Sequence, residues 1–125
     1  MTKVKKIFIV DDDQMMRTML SEYLEKNPLH HVFTFPTGEE CIASLDKMPD
    51  VIVLDYQLNG ENPDAADGLV ILEQIKKIDK DICVIMLSSQ TQYSKAVQTI
   101  VKGALEYVIK DTDAFQKIEK IIEGL

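Results

Sequence analysis

The chain has 125 residues, 46% of them hydrophobic, which predicts one packed domain over residues 1–125 rather than a disordered segment. Its net charge of −7 argues against direct binding to nucleic acid or to an anionic membrane. The longest uninterrupted apolar run, residues 82–87, is far shorter than the ~20 residues of a membrane helix, so we expect a cytoplasmic protein.

Short β-branched, apolar runs alternate along the chain with segments of helical periodicity. The predicted strands, in chain order, are Ile7–Val10, His31–Phe35, Val51–Leu54, Ile82–Leu87 and Tyr107–Ile109. Such alternation is typical of a parallel sheet with helices on both faces, and right-handed crossovers leave few ways to wind it. The sequence therefore predicts an α/β fold with a doubly wound five-stranded parallel sheet in the order 2-1-3-4-5, the flavodoxin-like (βα)5 arrangement.

Each predicted strand is followed by a helix with an apolar stripe. Thr37, with Glu40 three residues later, predicts the start of the second helix, and Asp13 is the best candidate to cap the first. Asp111-Thr112 indicates the start of the last helix. The stripes are Met16/Met19/Leu20/Tyr23/Leu24, Ile42/Leu45/Met48, Leu72/Ile75/Ile78, Val97/Ile100/Val101/Ala104 and Phe115/Ile118/Ile121/Ile122/Leu125.

The cysteines and histidines show no metal-binding pattern. Cys41 and Cys83 lie in apolar periodic contexts without metal-like spacing, which predicts buried free thiols. His30 and His31 are adjacent at the start of a predicted strand with no acid or thiol pattern nearby, so we expect a surface or edge role for both.

Polar residues follow four of the predicted strands at the point where each strand ends. They are Asp11–Asp13 after the first strand, Asp55 after the third, Ser88 and Ser89 after the fourth, and Lys110 after the fifth. Taken singly, each has an ordinary explanation as a helix cap, a turn residue or a solvated lysine. Because ligands of such sheets bind outside the carboxyl ends of the strands, we expect these side chains to share one site.

This set of side chains suits phosphoryl transfer. Clustered carboxylates bind Mg²⁺, which offsets their mutual repulsion and bridges phosphoryl oxygens. Lys110 would add a second positive charge and Ser88 a hydrogen bond. Asp55 would then be a carboxylate nucleophile that forms an acyl phosphate.

Residues 4–125 resemble the receiver domain of two-component response regulators, of which the chemotaxis regulator is one. The resemblance is carried, in order, by "VDDDQMMR", "VIVLDYQL", the "DG" at 67–68, "VIMLSSQ" and "YVIKD". It implies a phosphoacceptor signalling domain rather than an enzyme. This domain would use Mg²⁺, or alternatively Mn²⁺. A histidine kinase or phosphotransfer protein would donate the phosphoryl group.

The resemblance also implies roles for the acidic residues. Asp55 matches the phosphoacceptor. Asp11, Asp12 and Asp55 match the metal ligands, with Asp12 binding directly and Asp11 partly through water. The backbone carbonyl of Gln57 completes the metal set, and the side chains of Gln57 and Gln90 match positions that tune the lifetime of the phosphoryl group.

The same resemblance implies a switch. Ser88 matches the switch hydroxyl, Lys110 the phosphate-binding lysine and Tyr107 the switch aromatic residue. Ser89 matches a small residue that leaves a path to the acceptor. The surface of helix four, strand five and helix five would then change and be read by an effector domain or by a second copy of the chain.

The sequence departs from the family pattern in three places. The segment 56–68 is several residues longer than usual, and Asn59 replaces a familiar proline. Asp111 replaces the proline that usually follows the lysine, so we expect a trans peptide there and a shifted start of the last helix. Ser88 stands where threonine is common.

The sequence leaves three other interpretations to consider. A haloacid-dehalogenase-type phosphatase needs a second Asp two residues after the first, and that position is Gln57. In a flavodoxin-type FMN binder, Asp11–Asp13 would repel the phosphate. A degenerate receiver, acting as a phosphorylation-independent interaction module, is supported by the long loop and opposed by the complete set of site residues.

Overall fold

The computed structural model describes residues 3–60 and 62–125. Within them the strands are β1 (Lys5–Val10), β2 (His30–Phe35), β3 (Val51–Asp55), β4 (Cys83–Ser88) and β5 (Glu106–Ile109). The helices are α1 (Gln14–Leu24), α2 (Gly38–Ala43), α3 (Gly68–Ile78), α4 (Tyr93–Val101) and α5 (Ala114–Glu123), and a 3₁₀ turn (Leu45–Lys47) follows α2. The strands pair in parallel in the order β2-β1-β3-β4-β5, which confirms the predicted fold.

The sheet has a hydrophobic core on each face. Phe8, Ile52 and Val84 point to one face, where they pack with residues of α2 and α3. Ile7 and Val53 point to the other, which is covered by α1 and α5. Because the central strands are buried on both faces, they are continuous apolar runs rather than alternating ones, and polar residues are confined to their ends.

Side-chain caps fix the predicted starts of two helices. Thr37 caps α2: the Glu40 N–H donates to Thr37 Oγ1 at 3.2 Å, and the Thr37 hydroxyl donates to the Glu40 carboxylate at 3.1 Å. Asp13 accepts from the Met15 N–H at 3.0 Å and caps α1. The cap of α1 thus places Asp13 next to the carboxyl end of β1.

The apolar stripe predicted for the fourth helix is not buried in the structure. Val97, Ile100 and Val101 are 40%, 46% and 79% exposed, whereas Thr99 is fully buried and donates its hydroxyl to the Lys95 carbonyl. The helix therefore packs through Thr99, and Ala104 is buried only after the helix has ended. The apolar residues of α4 form a solvent-facing surface instead of core.

The other predicted helices need smaller corrections in the burial of single residues and in where the last helix begins. Met19, Ile78 and Leu125 are about half exposed. Met48 is exposed at a φ of 59° and ends the 3₁₀ turn. The last helix begins only at Ala114.

The late start of α5 follows from the turn before it. Asp111 accepts from the Asp113 N–H at 2.9 Å, which makes a turn instead of a helix cap at the predicted Asp111-Thr112 start. The peptide between Lys110 and Asp111 is trans, as expected.

The histidine and cysteine predictions are confirmed in part. His31 is exposed. His30 begins the edge strand β2, but it is buried rather than on the surface, and it donates from Nδ1 to the Leu24 carbonyl at 2.9 Å. Both cysteines are free; Cys41 is buried, but Cys83 is only half-buried. No helix in the described ranges is long and apolar enough to cross a bilayer.

Candidate functional site

A pocket of about 340 Å³ opens at the carboxyl ends of β1, β3, β4 and β5. The sequence-predicted site residues meet there, with the exception of Tyr107, which lies behind the pocket wall. The lining residues are Asp11, Asp12, Asp13, Asp55, Gln57, Gly60, Ser88, Ser89, Gln90 and Lys110. The winding of the sheet thus gathers residues that are up to 99 positions apart, from 11 to 110.

Three carboxylates crowd the floor of the pocket. Asp11, Asp12 and Asp55 each offer an oxygen, and these oxygens lie within 4.8 Å of one another. Asp55 is the last residue of β3 and is 4% exposed, and Asp11 is 1% exposed. Like charges at this separation repel strongly where water is excluded, so the cluster needs a positive charge.

Lys110 supplies part of that charge. Its Nζ lies 3.1 Å from Asp55 Oδ1 and 3.6 Å from Asp11 Oδ2. The second distance is too long for a hydrogen bond, and Asp11 Oδ2 is buried with no hydrogen-bond partner among the described residues. One ammonium group therefore faces a cluster with more negative charge than it can neutralise.

The pKa values reflect this shortage of positive charge. Burial raises the pKa of Asp55 to about 7, the charge of Asp11 adds to that effect, and Lys110 opposes it. Burial also raises the pKa of Asp11. For Lys110, burial lowers the pKa, but the charges of Asp55 and Asp11 together outweigh burial and leave it raised.

The pocket fits a hard divalent cation. Its donors are carboxylate oxygens, which Mg²⁺ prefers, and the buried Asp11 Oδ2 without a hydrogen-bond partner is the atom that a cation would satisfy. The Gln57 N–H donates to Asp55 Oδ1 at 3.3 Å, which holds the start of the next loop against Asp55. Asp11, Asp12 and Asp55 are thus placed to share one ion.

Hydrogen bonds from the Asp13 backbone and the Arg17 side chain hold Asp11 in place. Its Oδ1 accepts from the Asp13 N–H at 2.9 Å, and its carbonyl accepts from the Arg17 guanidinium at 2.7 Å. The sequence analysis missed Arg17 and also Gly60, whose N–H donates to Asp12 Oδ2 at 3.0 Å. Helical spacing places Arg17 on the first turns of α1, but nothing in the sequence shows that a loop glycine reaches Asp12.

Ser88, Gln90 and Tyr107 form a connected group on the other side of the pocket. Ser88 is buried, and its Oγ accepts from the Gln90 N–H at 2.9 Å. The Tyr107 hydroxyl donates to the Gln90 carbonyl at 2.7 Å. The backbone of Gln90 thus connects the side chains of Ser88 and Tyr107.

The family follows from comparison with known proteins. Residues 7–123 match the family model of the response regulator receiver domain. The chain belongs to this family. It is 31% identical to the chemotaxis protein CheY of Bacillus subtilis over 121 residues, 96% of this chain and 97% of that protein.

Two further receiver-containing proteins show the range of the family. The transcriptional regulator NtrC of Salmonella typhimurium is 33% identical over 108 residues, which cover 86% of this chain but 22% of NtrC. The BeF3-activated DrrB receiver domain superposes with a TM-score of 0.84 at 29% identity, covering 97% of this chain and 96% of that one. The chain is therefore a receiver domain of two-component signalling, as the sequence predicted.

Proposed function

We propose that residues 1–125 form a receiver that accepts a phosphoryl group on Asp55 with the help of Mg²⁺. The observation that carries this proposal is the meeting of three carboxylates, Lys110 and Ser88 in one pocket of a receiver domain. Phosphoryl transfer requires mainly positioning and neutralisation of charge, and these groups are suited to both.

Asp55 is the nucleophile of the proposed transfer. A carboxylate oxygen forms a bond to phosphorus while the bond from phosphorus to the donor histidine nitrogen breaks, and the product is an acyl phosphate. Lys110 and the Gln57 N–H both contact Asp55 Oδ1 and orient the carboxylate. Asp11, Asp12, Asp55 and the Gln57 carbonyl would hold Mg²⁺ (or Mn²⁺), whose positive charge would stabilise the negative phosphoryl oxygens.

Ionisation of Asp55 is the condition for attack. Its raised pKa leaves a large protonated fraction near neutral pH, and a protonated carboxyl is a poor nucleophile. Lys110 favours the ionised form through its charge. We expect a divalent cation in the same pocket to act in the same direction.

The remaining pocket residues receive roles after transfer. Ser88 would hydrogen-bond the phosphoryl group, Ser89 would leave the approach to Asp55 open, and the side chains of Gln57 and Gln90 would tune the lifetime of the acyl phosphate. Moving Ser88 would disturb the Gln90 N–H bond and, through the Gln90 carbonyl, Tyr107. Such a change shifts the populations of two existing states.

We expect two kinds of partner, one at the acidic pocket and one at the surface formed by α4, β5 and α5. A cytoplasmic sensor histidine kinase or phosphotransfer protein donates at the pocket. An effector domain or a second copy of the chain reads the surface of α4, β5 and α5. The exposed Val97, Ile100 and Val101 support this surface, because clustered apolar residues in water are typical of interaction sites.

Intact-mass measurement tests phosphoryl acceptance. The protein is incubated with a small acyl-phosphate donor in the presence of Mg²⁺ or of a chelator. Wild type and the control Asp64→Asn, which removes a loop carboxylate outside the pocket lining, should gain one phosphoryl unit only with Mg²⁺. Asp55→Asn should gain none. No adduct on wild type would favour the phosphorylation-independent interaction module.

A further inference from the structure

The long loop between β3 and α3, residues 56–67, is closed at its base by one side chain. Asp67 Oδ1 accepts from the Leu58 N–H at 3.1 Å and from the Gly68 N–H at 2.9 Å. The Gly68 N–H also donates to the Tyr56 carbonyl at 3.0 Å. Leu58 is fully buried in the core. Asp67 therefore joins the outgoing and returning ends of the loop over an anchored residue.

The closed loop reaches the acidic pocket. The Gly60 N–H donates to Asp12 Oδ2 at 3.0 Å, across 48 residues of sequence. A Cβ at position 60 would itself lie 3.0 Å from that oxygen, so a side chain there would push the Asp12 carboxylate aside by a few tenths of an ångström. This hydrogen bond helps to orient the Asp12 carboxylate in the pocket.

The returning half of the loop is attached to a second element. The Ala66 N–H donates to Glu39 Oε2 at 2.9 Å, which ties this half to the start of α2. With Asp67 at the base and Glu39 at the side, the described part of the loop has fixed points on α2, α3 and the core. Fixed ends reduce the number of conformations available to Gly60 and so favour its contact with Asp12.

We propose that Asp67 is a positioning residue of the metal site: it closes the loop whose Gly60 N–H orients the Asp12 carboxylate. This inference rests on the magnesium site of the proposed function and adds two residues to it. Hydrogen bonds to metal-binding carboxylates fix their orientation, and losing such a partner typically costs ~10–100-fold in metal affinity. Asp67 acts one step further out, through the backbone of the loop.

Titration of the full chain with Mg²⁺ by calorimetry tests the inference. Asp67→Ala should weaken Mg²⁺ binding by about 10-fold. Asp67→Asn keeps an oxygen at the base of the loop and should bind nearly as wild type does. The matched control is Asp79→Ala, at the opposite end of α3, where Asp79 Oδ1 accepts from the Asp81 N–H at 2.9 Å.

Two readouts separate positioning from a general loss of stability. If Asp67 only capped α3, Asp67→Ala would lower the melting temperature, as we expect of Asp79→Ala, and leave the Mg²⁺ affinity unchanged. The proposal instead predicts a weakened affinity together with faster hydrogen exchange of the Gly60 amide in the metal-free protein. A folded Asp67→Ala variant with wild-type Mg²⁺ affinity overturns it.

If Asp67→Ala does not fold, a second variant tests whether the loop positions the metal site. Gly60→Ala leaves the base of the loop intact but places a Cβ against Asp12 Oδ2, and it should also weaken Mg²⁺ binding by about 10-fold. Wild-type affinity of this variant would then overturn the inference. Failure of wild type to bind Mg²⁺ would overturn the metal site of the proposed function as well, which distinguishes the two failures.

Discussion

The two ends of the parallel sheet differ in how their charged groups are paired and buried. At the amino end, Lys5 Nζ donates to the Ile122 and Leu125 carbonyls at 2.7 and 2.6 Å, and the Lys6 N–H donates to Asp50 Oδ2 at 2.8 Å. At the carboxyl end, Asp11 and Asp55 are buried together. The first arrangement pairs each charge with a partner at the surface, whereas the second keeps like charges out of water.

This contrast separates stability from function within one sheet. The hydrogen bonds of Lys5 tie β1 to the Ile122 carbonyl in the last turn of α5 and to the main-chain oxygen of Leu125, two residues beyond the helix. The carboxyl end holds a charge imbalance that folding alone does not relieve, because Lys110 is the cation in contact with Asp11 and Asp55. We infer that the acidic pocket lowers the stability of the metal-free protein and is kept for its chemistry.

Removing Lys110 should give the largest effect. Lys110→Met leaves Asp11 and Asp55 without their ammonium partner. Breaking a buried pair costs roughly 3–5 kcal/mol, and since Lys110 is partly exposed we expect about 2 kcal/mol near pH 8. Near pH 5 protonation of Asp55 should reduce the loss. Urea unfolding without divalent ions measures both values.

Lys117→Met is the control for the loss of a lysine. Its ion pair with Asp111, at 3.3 Å, is exposed to water, so its loss should destabilise the protein much less than the loss of Lys110. Equal losses for the two lysine variants at both pH values would contradict the view that the pocket holds excess negative charge.

Neutralising Asp55 should change the pH dependence of stability. Its pKa is about 7 in the folded chain and ~3.9 when unfolded, so the folded state binds the proton more tightly. The free energy of unfolding of the metal-free protein should therefore fall as the pH rises from about 4 to about 7. Each unit of pKa difference corresponds to about 1.4 kcal/mol.

Asp55→Asn removes this titration. The variant should be more stable than wild type near pH 8, by about 1 kcal/mol or more, and should depend less on pH. Some dependence should persist because burial also raises the pKa of Asp11. An unchanged pH profile would show that Asp55 is not the group that titrates.

A change at the amino end should be smaller and independent of pH. Lys5→Met removes the hydrogen bonds to the main-chain oxygens of Ile122 and Leu125 and should cost about 1 kcal/mol. The loss should be the same at about pH 5 and about pH 8, since neither main-chain acceptor changes its charge in this range. A loss that varies with pH would weaken the contrast between the two ends.

The smallest effect is expected at Tyr107. Tyr107→Phe removes the hydrogen bond to the Gln90 carbonyl and should cost about 0.5–1 kcal/mol, because water can replace the hydroxyl in this half-buried place. Mg²⁺ affinity should not change, since Tyr107 does not line the pocket. Weaker Mg²⁺ binding in this variant would mean that the switch residues also shape the metal site.

The sequence predicted the sheet and most of the pocket because both depend on local pattern. Continuous apolar strands predict a parallel sheet, and the residues that follow them must meet at its carboxyl end. The contact between Gly60 and Asp12 could not be predicted, since it depends on how a long loop folds back. The exposed face of α4 was also missed, because a buried Thr99 replaces the apolar stripe that periodicity indicated.

The burial of His30 has a similar explanation. Its Nδ1–H donates to the Leu24 carbonyl at the end of α1, and its Nε2 lies 3.4 Å from Asn27 Nδ2. Both ring nitrogens have partners that depend on how the turn after α1 folds, so adjacent histidines in the sequence gave no sign of which one would be buried.

The most direct test of the account is the response of thermal stability to Mg²⁺ in wild type and in Asp55→Asn. A ligand that binds only the folded state raises the melting temperature, and the size of the increase follows its affinity. With NaCl of matched ionic strength as reference, we predict that Mg²⁺ raises the melting temperature of wild type and raises that of Asp55→Asn much less. Equal responses of the two proteins, or no response of wild type, would contradict the claim that the acidic pocket is built to hold a divalent cation.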